Sequence, residues 1–99
     1  MLNIIKTAED KKAYLALEGR LDTFSAPLLE KELKAALPGI ENLVLDFEKL
    51  EYISSAGLRV LLSTQKVINK QGKMKIVHVN DTIQEIFEVT GFSDILTIE

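Results

Sequence analysis

Apolar and polar positions divide the 99-residue chain into short segments of two different periods. Residues 13–18, AYLALE, alternate with period two: Ala13, Leu15 and Leu17 fall on one face, Tyr14, Ala16 and Glu18 on the other. Residues 2–8, LNIIKTA, are also strand-like, and the polar Glu9-Asp10-Lys11-Lys12 between them is a turn. The two segments therefore predict an antiparallel hairpin, with Gly19 at the end of its second strand. The period then changes. Ala26, Leu29, Leu33, Ala36 and Leu37 recur at helical spacing, predicting a helix over 25–37. Pro27 fits its first turn, Asp22, Thr23 and Ser25 offer caps, and Pro38-Gly39 stops it. NLVLDF at 42–47 reads as a buried strand. Leu58, Leu61, Leu62, Gln65 and Ile68 share one face of a second helix over 55–71, ended by Gly72. KMKIVHV at 73–79 alternates again. Asp81-Thr82-Ile83-Gln84 resembles a capping box for a third helix over about 82–90, closed by Gly91-Phe92. ILTI at 95–98 reads as a last short strand.

The predicted order is ββαβαβαβ in one α/β domain spanning 1–99. Three strand–helix–strand units imply a mixed, mainly parallel sheet with helices in right-handed crossovers, the first strand being added antiparallel. In such sheets functional groups gather where strands end and helices begin. The candidate loops are 19–25, 47–55 and 78–81, with Asp46 ending the strand that feeds the middle one.

Composition narrows the chemistry. The formal net charge is −3, from 12 basic and 15 acidic residues, which gives no basic field for nucleic acid or an anionic membrane. The absence of cysteine removes disulfides, thiol catalysis and cysteine–metal sites, and the single histidine, His78, cannot build a multi-histidine centre. No cofactor and no metal are expected. No apolar run has the length of a membrane span and the N-terminus lacks a signal-peptide core, so a cytoplasmic domain is the expectation.

One stretch of the middle loop, YISSAGLR at 52–59, carries four possible readings. Ser55 at a helix start can be a helix cap. As a nucleophile it needs a base, and His78 is expected on the core side of its strand; the G-x-S-x-G turn is also missing. As a phosphate cradle the loop lacks the Gly-Lys-Ser/Thr and G-x-G-x-x-G patterns. As a phosphorylation switch it needs no base of its own, and a helix N-terminus tolerates the added charge of about −1.5 to −2. Asp22, Asp46, Glu48 and Glu51 are the expected acidic neighbours.

The segment NLVLDFEKLEYISSAGLRVLL at 42–62, EGRLDTFSAPLLEKEL before it and VHVNDTIQEIFEVTGFSDILTI after it resemble the STAS domains of anti-sigma factor antagonists over nearly the whole chain. The resemblance implies a module that binds an anti-sigma factor serine kinase while unphosphorylated, so freeing a sigma factor. That kinase would switch it off and a serine phosphatase would reset it. Gly57-Leu58 match the family's Gly-Leu, which places Ser55 on the phosphorylated serine, with Ser54 as second choice. Ser54 stands where Asp is usual, Ala56 where Ser or Thr is usual, and Arg59 where a second Gly is common. Asp46 matches the strand-ending Asp, and Gly19-Arg20-Leu21-Asp22 a turn at the partner-facing edge. The expected partner-binding set is Asp22, Thr23, Ser25, Asp46, Tyr52, Ser54, Ser55, Gly57, Leu58 and Arg59, in a monomer or weak dimer. Arg59, four residues beyond Ser55, is placed to pair with a phosphate there. The alternative within the same fold is a STAS subunit that docks without phosphorylation, for example on a lipid-transport ATPase.

Overall fold

The computed structural model describes all of residues 1–99. Strands β1 (Leu2–Glu9) and β2 (Lys12–Leu21) form the antiparallel hairpin, running from Leu2 opposite Gly19 to Glu9 opposite Lys12. Helix α1 (Ala26–Ala36) leads to β3 (Asn42–Ile53), and α2 (Ser55–Ile68) leads to β4 (Lys73–Val77). Helix α3 (Asp81–Thr90) and a 3-10 turn (Phe92–Asp94) complete the chain. The sheet order is β1-β2-β3-β4, with β2, β3 and β4 parallel. Both crossovers step in the same direction across the sheet, so right-handed connections put α1 and α2 on one face. Phe87 of α3 meets Phe47 of β3 there, ring centroids 6.4 Å apart. Leu15, Leu17, Leu43, Leu45, Phe47 and Ile76 fill the sheet side of this core. The other sheet face carries no helix and bears Tyr14, Ala16, Val44 and Asp46.

Two strands run further than their sequence period suggests. β2 passes the expected end at Gly19 and reaches Leu21, and β3 passes Phe47 and reaches Ile53. The cause is a pair of bulges. The β2–β3 register moves from Ala16 opposite Asp46 to Glu18 opposite Lys49, and from Gly19 opposite Leu50 to Arg20 opposite Tyr52. Each shift adds one residue to β3. Phe47, Leu50 and Ile53 thereby all reach the core although their spacing breaks alternation. Most of the loop expected at 47–55 is thus strand, and Asp46 lies within β3 rather than at its end. Gly19 has φ +104°, and a side chain there would collide with the Met1 carbonyl oxygen, which accepts the Arg20 N–H at 3.2 Å. It bends the strand and does not end it.

Three further expectations change. The alternation over 73–79 breaks at His78: β4 stops at Val77, and His78 turns out of the sheet with φ +59° and an exposed side chain. It does not face the core. Helix α3 is capped by Asn80, not Asp81: Asn80 Oδ1 accepts the Ile83 N–H at 2.8 Å while its Nδ2 donates to the Leu50 carbonyl at 2.9 Å. The expected strand at 95–98 shrinks to a single parallel bridge between Ile76 and Ile98, because the N–H groups of Ile95 and Leu96 bond back to the Phe92 carbonyl, at 3.0 and 2.8 Å. No helix is long and apolar enough to cross a membrane.

Candidate functional site

The bulged end of β3 delivers Ile53 into the core and releases one residue, Ser54, before α2 begins. Ser54 is the N-cap. Its backbone is extended (φ −98°, ψ 175°), its Oγ accepts the Gly57 N–H at 3.4 Å, and its carbonyl accepts the Leu58 N–H at 2.9 Å. Ser55 is the first helical residue and is exposed. The two serines therefore divide the roles that the sequence left together at Ser55: the neighbour caps, and Ser55 presents a hydroxyl to solvent above the unpaired first N–H groups of α2.

The helix start is seated against β2. Ser54 N–H donates to the Leu21 carbonyl at 2.8 Å. Gly57 rests directly on the core below: a Cβ there would lie 2.7 Å from Leu21 Cγ and 2.9 Å from Ile53 Cγ1. Gly57 and Leu58 are buried, so of the expected contact set they support the edge from beneath. Arg59 and Tyr52 are exposed, and the Arg20 guanidinium covers the Tyr52 ring at 4.6 Å.

One residue past Leu21 the chain forms a tight turn into α1. Asp22 Oδ1 accepts the N–H groups of Phe24 and Ser25, both at 3.0 Å. Ser25 Oγ accepts the Asp22 N–H at 2.9 Å and donates to the Arg20 carbonyl at 2.8 Å. The hydrogen bond from the Ser25 N–H, with those from the Ser25 hydroxyl and Phe24 N–H, holds the Asp22 carboxyl below its usual range against the opposing effect of partial burial. Ser25 is buried by this arrangement, whereas Thr23 is exposed and Phe24 is 92% exposed. Asp22, Thr23, Ser25, Tyr52, Ser54, Ser55 and Arg59 thus gather at the end of the sheet where β2 and β3 give way to helices. Phe24 belongs with them and escaped the sequence reading. Its signal was present: an aromatic between a capping Asp and Pro27 precedes the helix and has no period to bury it.

Asp46 has a different setting. It is 8% exposed and lies on the helix-free sheet face. Its Oδ2 accepts the Tyr14 hydroxyl, and its Oδ1 accepts the Glu48 N–H freed by the bulge (2.9 Å) and contacts His78 Nδ1 (2.9 Å). Burial pushes the Asp46 carboxyl up, but the hydrogen bonds from Tyr14, Glu48 N–H and His78 together draw it below its usual value. The bond to Asp46, then its charge, raises His78 in turn. Asp46 therefore ties β2, β3 and the β4–α3 turn together. His78, the one imidazole, is bonded to Asp46 rather than to Ser55. Asp46, Glu48 and His78 offer ligand atoms within 4.8 Å of one another, the only such group in the chain, but both Asp46 oxygens already accept hydrogen bonds.

The chain is thus a four-stranded mixed sheet with helices on one face and an exposed serine at the start of the second helix. The STAS-domain family model matches residues 3–99, and the chain belongs to the STAS family. It is 32% identical over 99 aligned residues to the anti-sigma-B factor antagonist of Staphylococcus aureus, the match covering 98% of this chain and 92% of the relative. Among solved structures, an anti-sigma factor antagonist from Mycobacterium paratuberculosis superimposes with a TM-score of 0.89 at 21% identity, covering 99% of this chain and 85% of that one. The Bacillus cell fate determinant SpoIIAA in its phosphorylated form superimposes with a TM-score of 0.75 at 15% identity, covering 100% and 91%.

Proposed function

We propose that this chain is an anti-sigma factor antagonist controlled by phosphorylation of Ser55. Unphosphorylated, it binds an anti-sigma factor serine kinase and frees the sigma factor held by it. Phosphate placed on Ser55 by that kinase weakens the complex, and a serine phosphatase restores it. The observation that carries this reading is the exposed Ser55 at the first position of α2, with its neighbour Ser54 serving as the cap. The name of the S. aureus relative and the fold shared with phosphorylated SpoIIAA support it.

The helix start suits the chemistry. Free N–H groups and the positive end of the helix dipole stabilise a phosphate there by a few tenths to about 1 kcal/mol, so the fold accepts the modification. Arg59, on the same helix face four residues on, supplies a charged donor. The docking edge changes more than the fold does. An edge with a neutral serine pair acquires about −1.5 to −2 charge beside Asp22, which remains ionised. A partner surface matched to the neutral edge must then desolvate that charge, and like-charge juxtaposition costs several kcal/mol.

Incubation of the chain with ATP and the anti-sigma factor kinases of its own organism, followed by peptide mass spectrometry, tests the assignment. Phosphate on Ser55 is expected. A stable complex without phosphate transfer would instead support a docking subunit of another assembly, and phosphate on Ser54 would move the switch into the cap itself.

A further inference from the structure

Phe24 is the most exposed large apolar side chain after the terminal Met1, at 92% against 102%. It packs against nothing in its own core, unlike Phe92, which lies against the core cluster. Leu28, one turn along α1 from Phe24, is 46% exposed. A single exposed apolar residue is ordinary, but this one is held out on a fixed support. Its own N–H is bonded to Asp22 Oδ1, and the same oxygen fixes Ser25, the residue that opens α1. The backbone under the ring is set before any partner arrives, so seating the ring costs little more than its two side-chain torsions.

The position relative to Ser55 is equally constrained. Leu21 is hydrogen-bonded to Ser54, and Phe24 lies three residues beyond Leu21. Three residues span at most roughly 11 Å. A standard footprint of about 800 Å² on one partner corresponds to a disc of about 16 Å radius. The turn also folds back, Ser25 Oγ donating to the Arg20 carbonyl at 2.8 Å, which keeps Phe24 near the start of α2 and within reach of a footprint centred close to Ser55. A buried Phe removes about 150–250 Å² from water, a large share of the apolar area available at this edge.

We infer that Phe24 is the apolar anchor of the docking edge, seated in an apolar pocket of the same anti-sigma factor that acts on Ser55. This rests on the function proposed above. The anchor supplies affinity by burial, and Ser55 supplies the charge-controlled gate beside it.

The test is titration calorimetry of the chain into the anti-sigma factor that phosphorylates it, with wild type, Phe24→Ala, Phe24→Tyr and Val89→Ala. Val89, 77% exposed near the end of α3, is an apolar control outside the edge. Phe24→Ala is expected to weaken binding at least about tenfold, Phe24→Tyr to retain most of it, and Val89→Ala to leave it unchanged. The thermal midpoint of Phe24→Ala should match wild type, because the ring is almost fully exposed. Wild-type affinity in Phe24→Ala overturns the anchor and leaves the proposed function standing. Failure of wild type to bind any anti-sigma factor of its organism overturns both. A wild-type dimer that Phe24→Ala converts to monomer by sedimentation assigns the ring to a second copy of the chain and also overturns the anchor.

Discussion

Gly57→Ala tests how α2 is seated. The added methyl group would lie 2.7 Å from Leu21 Cγ, 2.9 Å from Ile53 Cγ1 and 3.0 Å from Leu21 Cδ2. The nearest two are branch-point or inner side-chain atoms of fully buried residues, which cannot swing aside. Overpacking of this kind costs about 1–3 kcal/mol. Alanine returns up to about 1 kcal/mol through helix propensity and a stiffer unfolded chain. The net expectation is a destabilisation of about 1–2 kcal/mol, or a thermal midpoint lower by about 5–15 °C for a domain of this size. Circular dichroism melts and urea titration of both proteins measure it. The cause is checked by a double-mutant cycle. In a Leu21→Ala background the methyl group has room, so Gly57→Ala should cost less there than in wild type. An unchanged or raised midpoint for Gly57→Ala, or an additive cycle, would refute the argument that this glycine exists to let α2 rest on Leu21 and Ile53.

Two further predictions concern the serine pair and the Asp46 network. Ser54→Ala should destabilise the fold by about 0.5–1 kcal/mol, the low end of cap losses given its 3.4 Å bond, whereas Ser55→Ala should leave the urea midpoint unchanged. Equal losses for both would mean that Ser55 shares the capping. For pH, the raised His78 contributes stability that is complete below its ordinary value of about 6.5 and fades as pH rises through the higher folded value. The lowered Asp46 contributes stability that is complete above about 3.8 and is lost as pH falls through its lower folded value. The pair therefore favours the fold most between those two limits. The urea midpoint should decline modestly from pH 6 to pH 8, because His78 is largely exposed. His78→Asn, which tolerates the left-handed backbone at this position, should abolish the decline; persistence of the decline in that variant would place its origin elsewhere.

The hairpin, the three helices and the parallel pairs were legible because each rests on one period held over several residues, as with Ala13, Leu15 and Leu17 or Ala26, Leu29 and Leu33. What period cannot encode is a change of register. The bulges after Asp46 and before Tyr52 keep β3 in the sheet while breaking its alternation, so its last six residues read as a loop. His78 likewise continues the alternation of β4 on paper, and only Asp46, 32 residues away, draws its ring out of line. The edge itself was legible as a cluster of loop residues, but not its division of labour. Two adjacent serines are chemically alike in sequence, and the Leu21–Ser54 hydrogen bond together with the seat of Gly57 decides which one caps. Phe24 was missed because its exposure follows from the Asp22 turn that carries it, a feature of local hydrogen bonding that no hydrophobic period reports.

The central claim is that charge at Ser55 controls docking. Its most direct measurement is calorimetric affinity of the anti-sigma factor for the unphosphorylated chain, the chain phosphorylated on Ser55, Ser55→Ala and Ser55→Asp. Ser55→Ala is expected to bind as wild type, and phosphorylation to weaken binding at least about tenfold. Ser55→Asp should fall between them because it carries less charge than phosphate. Equal affinity for the phosphorylated and unphosphorylated forms would contradict it.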